Sequence, residues 1–345
     1  GNNSINGITV TADGNYTKVI LATQQKVSYR ATYTGSSFNI AFNYTTSVPG
    51  SMNLNKNPLF SAANWSGATL QLPLKQNGRF IGYKAYYDDD GNLVFRFNNP
   101  PGGLSGARIV VDPGHDTSDP GTLGFLPAYP ERVINAAIGE LVADELRSRG
   151  ASVYLIQSAS QKVTLANRVE QGRSYNAHVL VSIHGNSAPS DAKGSEAYYF
   201  NPYSKNLASQ AANALGTTNR GGKFGYYYVT RDPQFASTLI ETGFLSNERE
   251  YRKLIDEEYQ AQIASGIADA VDSYLRSMGS GSGTGTQTNG DVSSVGNSGS
   301  SSDGGGEVTG VSLNKNSLTL QKGKTAQLSA EVMPSDADNT DVLWE

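Results

Sequence analysis

The 345-residue chain contains no cysteine, which excludes disulfides and thiolate ligands and leaves imidazole and carboxylate groups to hold any metal. Histidine is scarce too, with three in all. No run approaches the ~20 apolar residues of a membrane-spanning helix. No charged start followed by an apolar stretch marks a secretory leader. The chain opens GNNS without an initiator Met, which leads us to expect that a leader has been removed. Positive charge is not in excess: 27 Lys and Arg face 31 Asp and Glu, and a net charge of -4 gives no reason to expect nucleic acid or an anionic membrane as partner. What is present is apolar material, 37% of residues, enough for at least one sizeable core over a length that allows two or three domains.

From Ile8 to about Phe97 the apolar residues alternate with period two, as at Val19 and Leu21, at Phe38, Ile40, Phe42 and Tyr44, and at Leu93, Phe95 and Phe97. The turn cluster Asp88-Asp89-Asp90-Gly91 predicts a hairpin, and residues 1–104 read as an all-β, sandwich-like domain closed by the breaker-rich run 98–103. Short apolar runs then alternate with helix-length segments over 105–278, the pattern of an α/β domain with a mixed twisted sheet flanked by helices. Ile134, Ile138, Val142 and Leu146 line one face of a helix that Gly150 is placed to end, and Ile263, Ile267, Val271 and Tyr274 line another. Strands are predicted at 153–156, 179–183, 197–200 and 237–240. Residues 279–306 are almost wholly Gly, Ser, Thr, Asn and Asp, too poor in apolar groups to offset chain entropy, and read as a flexible tether with ends roughly 30 Å apart. Residues 307–345 alternate again but are too few to close a sandwich, and we expect the start of a further module.

Three titratable residues directly follow apolar runs: His115 after Ile109–Val111, His184 after Val179–Ile183, and Glu241 after Leu239 and Ile240. Ligands of open α/β sheets sit at the carboxyl ends of strands, so these side chains are expected to converge. Glu131 opens the helix containing Ile134, where unpaired backbone N–H groups favour a carboxylate by about 0.3–1 kcal/mol. Two histidines and a carboxylate make a competent zinc site with a fourth position for water, leaving Glu241 free to move protons in amide hydrolysis. His178 is excluded as a co-ligand: extended backbone puts it about 20 Å from His184, and it reads as a surface or strand-start histidine. Taken singly, each candidate also has a plain reading, His115 as a turn residue, His184 as a core histidine, Glu131 as first-turn electrostatics. No compact motif such as HExxH is present.

Taken together, IVVDPGHDTSDPGTLG, ERVINAAIGELVADELRSRGASVYLI, TLANR, AHVLVSIHGN, GSEAYYF and STLIETGFLSN resemble the zinc-dependent N-acetylmuramoyl-L-alanine amidases of the Amidase_3 class, from about Arg108 to Ser277. The resemblance implies that His115, Glu131 and His184 bind Zn²⁺. It further implies that Glu241 is the general acid/base of a zinc-activated water, cleaving peptidoglycan between N-acetylmuramic acid and the L-alanine of the stem peptide. Asn186 and Arg220 are candidates for polar substrate contacts, Arg168 for a structural role, and Tyr226–Tyr228 for a substrate-facing loop. The chain departs from the family at Asp116-Thr117, where two glycines are common, and at Ala177-His178, where Ala-Asp is common. Residues 1–104 are similar to the AMIN-type modules that precede some of these amidases, which implies binding to a cell-wall polymer, with exposed tyrosines as the contacts. VSLNKNSLTLQKGKTAQLSAEVMPSDADNTDVLWE resembles the first strands of a bacterial Ig-like group 2 domain and implies a secreted, extracellular, wall-associated protein. The competing readings are a zinc exopeptidase and a wall-binding or structural protein with a dormant site.

Overall fold

The structure is a computed structural model that describes residues 3–76, 78–189, 191–279, 283–290, 310–313 and 330–333. The N-terminal part runs through β1 (Asn3–Ala12), β2 (Tyr16–Thr23), β3 (Tyr29–Tyr33), β4 (Ser37–Phe42), β5 (Thr45–Ser47), β6 (Met52–Asn53), β7 (Ala62–Ser66), β8 (Thr69–Pro73), β9 (Tyr83–Tyr87) and β10 (Leu93–Asn98). The period-two pattern holds at Val19, Leu21, Phe38, Ile40, Phe42, Phe95 and Phe97, all buried, each set on one face of its strand, but not at Tyr44, which lies in the turn after β4 with φ 56 and its side chain exposed. One sheet has β4 between β3 and β8 and continues through β7 to β6, and the other has the order β1-β2-β10-β9 with β5 beside β1. Asp88–Gly91 joins β9 to β10, with the Gly91 N–H donating to the Asp88 carbonyl at 3.0 Å. Tyr29, Tyr33 and Tyr83 are spent on packing: Tyr29 lies edge-on to Phe95, Tyr33 to Phe80 and Tyr83 to Phe38, with centroids 4.8–5.1 Å apart.

The second part comprises β11 (Arg108–Pro113), α1 (Glu131–Ser148), β12 (Ser152–Leu155), α2 (Leu165–Ser174), β13 (Val179–Asn186), β14 (Ser195–Tyr199), α3 (Lys205–Ala214), β15 (Asn219–Phe224), β16 (Ala236–Phe244), α4 (Glu248–Leu254) and α5 (Glu257–Met278). The sheet order is β12-β11-β13-β16-β14-β15; β14 runs antiparallel to β16 and every other pair is parallel. Alternation along β11 sends Ile109 and Val111 to the face covered by α1, α3 and α5, and Val110 to the face covered by α2 with Val169 and Phe235. Gly150 (φ 96) follows α1 in the left-handed conformation that stops a helix.

The β domain and the α/β domain share one hydrophobic cluster, in which Phe80 meets Tyr203 with centroids 5.4 Å apart. The Tyr83 N–H also donates to the Pro233 carbonyl at 2.7 Å, and the Asn98 amide to the Gln234 carbonyl at 2.8 Å. The tether expected over 279–306 needs correction. Residues 285–290 form β17 (Gly285–Gly290), which adds antiparallel to the free edge of β1. Its sequence, GTQTNG, has no apolar signal; polar groups hold it, with Gln287 Oε1 accepting from the Asn55 and Lys56 N–H groups at 2.7 and 3.0 Å and the Asn289 amide donating to the Gly50 carbonyl at 2.6 Å. Residues 291–306 of the expected tether lie outside the described residues. Within 307–345, β18 (Gly310–Leu313) and β19 (Ala330–Met333) pair antiparallel as a separate unit.

Candidate metal centre

Four elements deliver the four candidate side chains to the carboxyl edge of the α/β sheet. β11 ends at Pro113, and Gly114 turns the chain so that His115 follows with φ 64, a left-handed conformation few non-glycine residues adopt. A Cβ on Gly114 would sit 2.2 Å from the His184 ring, so only glycine lets the two strand ends approach this closely. Arg168, buried on α2, holds the turn: its guanidinium donates to the Pro113 and His115 carbonyls, both at 2.7 Å, and pairs with the Asp112 carboxylate. The structural role expected for Arg168 is therefore visible as contacts to three acceptors.

His115, Glu131 and His184 come together, each offering a donor atom within 4.8 Å of the others. Glu131 Oε1 lies 3.0 Å from His115 Nε2 and 3.2 Å from His184 Nδ1, while its Oε2 accepts from the Thr122 N–H at 3.0 Å. Ligand atoms bound to one tetrahedral zinc at ~2.0–2.1 Å stand about 3.3 Å apart, so this donor set fits that ion. Asp119 Oδ2 sits 2.9 Å from His115 Nδ1, the arrangement that fixes an imidazole's tautomer and aims its other nitrogen at a metal. Burial alone would lower the His115 pKa, but the hydrogen bond and charge of Glu131, joined by Asp119, outweigh it and raise the value to about 9. Burial would raise Glu131, yet hydrogen bonds from both histidines hold it well below the usual carboxylate range.

Glu241 lies beside this cluster because β13 and β16 pair with His184 opposite Glu241. Its Oε2 is buried without a hydrogen-bond partner. Burial, reinforced by the charges of Glu131 and Glu196 and opposed by the two histidines, raises its pKa to about 7. Glu241 shares with His115 and His184 a cavity of about 370 Å³, walled further by Leu165, Arg168, Tyr227 and Tyr228.

Asn186 and Arg220 do not line this cavity. Both turn to Glu196, the Asn186 amide donating to Oε1 at 2.9 Å and the Arg220 Nε–H to Oε2 at 2.8 Å. Tyr198 and Lys223 complete the shell around this buried carboxylate. Burial would raise the Glu196 pKa, but Lys223, Tyr198 and Arg220 lower it to about 2. Glu196 stands opposite Glu241 in the antiparallel β14–β16 pair, so its charge faces the same side of the sheet. Sequence reasoning missed Glu196 and Asp119; the signal for Asp119 was its spacing of four from His115, while Glu196, in the short strand SEAYY, carried none of its own.

The two departures in sequence have structural partners. Asp116 accepts from the Val163 N–H at 2.9 Å and the Ser118 N–H at 2.7 Å, tying the His115 loop to the segment before α2. His178 immediately precedes β13 and is buried, not at the surface, and its Nδ1 accepts from the Arg108 N–H at 3.0 Å.

Fold and site together define an α/β protein with a metal-competent His–Glu–His centre at the carboxyl edge of its sheet and an unpartnered carboxylate beside it. Residues 109–273 match the N-acetylmuramoyl-L-alanine amidase family Amidase_3, and residues 307–345 match the bacterial Ig-like domain, group 2. The chain is 36% identical over 179 residues to the uncharacterized protein YqiI of Bacillus subtilis (strain 168), covering 50% of this chain and 86% of that one. It is also 36% identical over 181 residues to the N-acetylmuramoyl-L-alanine amidase LytC of the same organism, covering 50% of this chain but 36% of LytC. Among solved structures, the catalytic domain of the amidase CwlV from Bacillus (Paenibacillus) polymyxa var. colistinus is 35% identical, with 49% of this chain and 98% of that one covered and a TM-score of 0.47. The chain belongs to the Amidase_3 family of N-acetylmuramoyl-L-alanine amidases.

Proposed function

We propose that the protein is a zinc-dependent peptidoglycan hydrolase that cleaves the amide between N-acetylmuramic acid and the L-alanine of the stem peptide. The observation that carries this reading is the placement of a high-pKa, unpartnered Glu241 in one cavity with the two histidines of the His115–Glu131–His184 cluster. Zn²⁺ bound by those three residues supplies Lewis acidity toward a carbonyl oxygen and brings the pKa of a water from about 15.7 toward ~7.

The protein's own groups do the rest. Asp119 orients His115, and Arg168 fixes the turn that carries it. Glu241, with a pKa of about 7, accepts a proton from the attacking water and returns it to the leaving nitrogen. The water's hydroxyl ends on the lactyl carbonyl carbon, the C–N bond breaks, and the proton on Glu241 neutralises the departing amine of L-alanine. The apolar wall of the cavity, with Val229 and Leu239, limits bulk water around that exchange. In the same reading the protein is secreted and acts at the cell wall, and the domain over 1–104 binds wall polymer as AMIN-type modules do.

The test is mass spectrometry of purified sacculi digested by the full chain with and without chelator, together with the Glu241→Gln variant. New L-alanine N-termini should appear, vanish with chelator and return with Zn²⁺. Glu241→Gln should still bind one zinc and lose about 10²–10⁴ in kcat. Cleavage elsewhere in the stem peptide would point to an exopeptidase, absence of zinc uptake and of products to a dormant site, and full activity of Glu241→Gln would remove that residue from the mechanism.

A further inference from the structure

Beside the catalytic cavity lies a second groove of about 380 Å³, between the C-terminal half of α2 and the segment 224–233. Tyr228 lines both depressions, and α2 runs along both, with Leu165 and Arg168 on the cavity and Val169 and Arg173 on the groove. From Leu165 to Arg173 the helix rises about 12 Å. The groove thus continues the catalytic cavity and leads toward Pro233, where the β domain docks through the Tyr83 N–H.

Its walls are aromatic and its charges largely internal. Tyr226 is 70% exposed and stands edge-on to Phe200, with centroids 5.3 Å apart. The Arg231 guanidinium lies over the rings of both Tyr226 and Tyr228, 4.5 and 5.0 Å from their centroids. Asp232, whose side chain is 3% exposed, is neutralised by Arg173 at 2.7 Å. Exposed ring faces flanked by phenol and guanidinium N–H and O–H groups suit a ligand with apolar faces and hydroxyl edges. Pyranose rings have that character.

We infer that this groove binds the glycan strand flanking the muramic acid under attack, with Tyr226 and Tyr228 stacking against sugar rings and Arg231 donating to their hydroxyl or acetamido oxygens. The inference rests on the amidase reading and extends its substrate to a polymer of several sugars. The test uses hydrogen exchange of the full chain titrated with peptide-free glycan strands of alternating N-acetylglucosamine and N-acetylmuramic acid. Backbone amides of 224–233 should gain protection, and Tyr226→Ala should raise the glycan concentration for half-protection about tenfold. Because the readout is local, binding by the N-terminal domain does not imitate it. No protection of 224–233 at saturating glycan, protection undiminished by Tyr226→Ala, or protection by free stem peptide in place of glycan would each overturn the inference. Failure of the amidase reading shows separately, as absence of L-alanine N-termini from sacculi, and leaves the exchange measurement intact.

Discussion

Replacing Arg168 by Met isolates how much of the site depends on one buried guanidinium. In the native chain this group is 3% exposed and serves the Asp112 carboxylate and the carbonyls of Pro113 and His115. Asp112 is wholly buried, and its remaining partner is the Ser182 hydroxyl, which donates at 2.8 Å. Methionine fills much of the space but leaves a carboxylate and two carbonyls without their donor. Breaking a buried pair in this way costs about 3–5 kcal/mol, a large share of the ~5–15 kcal/mol that holds a typical domain together. The carbonyl losses overlap with that figure, since all three contacts come from one group. Arg168→Lys should recover little, because an ammonium cannot present the planar fork that reaches three acceptors. Asp112→Asn in the Arg168→Met background removes the stranded charge and should restore about half of the loss. The assay is urea unfolding followed by helical circular dichroism, which reports the α/β domain because all five α-helices among the described residues lie there. Zinc stoichiometry of the surviving folded fraction should fall too, since His115 keeps its left-handed backbone (φ 64) under the restraint on its carbonyl. A loss under about 1 kcal/mol for Arg168→Met, or no rescue by Asp112→Asn, would refute the argument that this pair holds the turn.

Metal uptake should depend on pH in a defined sense. The metal-free His115 keeps its proton up to about 9, and that proton must leave before zinc binds, so affinity should rise about tenfold per pH unit, or ~30-fold from about pH 7 to about pH 8.5. Chelator competition measures this, and a flat profile would contradict it. His178 gives the opposite kind of signal, in stability. Burial, then the charge of Arg108, lowers its pKa to about 3 against about 6.5 when unfolded. The unfolded chain therefore binds the extra proton first, and stability should fall by up to about 1.4 kcal/mol per pH unit as pH drops below about 6.5, levelling near 3. Urea midpoints of His178→Gln across that window should lack this slope; equal slopes would count against it. Ending the chain after Gly279 removes β17, so the amides of β1 from Gly7 to Ala12 should exchange faster while α1 and α5 keep their protection. Unchanged exchange in β1 would mean that its sheet does not need β17 as a sixth strand.

Legibility in the sequence followed the nature of each signal. Apolar periodicity is local, and it marked the buried faces of β10 and α5, set α1 close to its observed limits, and found β12, β13, β14 and β16, with β13 and β16 running three to four residues further than expected. Strand ends are local as well, so His115, His184 and Glu241 stood out at the close of apolar runs. Glu196 did not, because its importance arises from the antiparallel register that sets it opposite Glu241, and register is a property of two strands. β17 was invisible for a related reason: its contacts are backbone and amide hydrogen bonds, which leave no hydrophobic trace. His178 read as peripheral because polar residues at strand starts usually are, whereas here its ring nitrogen replaces a strand partner for the Arg108 N–H.

The two Asp-Pro-Gly turns show how a residue type is dictated by chemistry several steps removed. Asp112-Pro113-Gly114 needs its glycine because the His184 ring occupies the space of a Cβ, at 2.2 Å. Asp119-Pro120-Gly121 needs its glycine for a different neighbour, since a Cβ there would meet Glu131 Oε2 at 2.6 Å and the His115 ring at 2.7 Å, on a backbone already at φ 67. The first turn brings one imidazole against another, and the second folds the Asp119 carboxylate back onto His115 while giving up the Thr122 N–H to Glu131. Gly114 is thus fixed by a metal-competent side chain alone, and Gly121 both by such side chains and by its own left-handed backbone. Alanine at either position should cost metal affinity through displaced His184 or Glu131, even where the surrounding sheet stays folded.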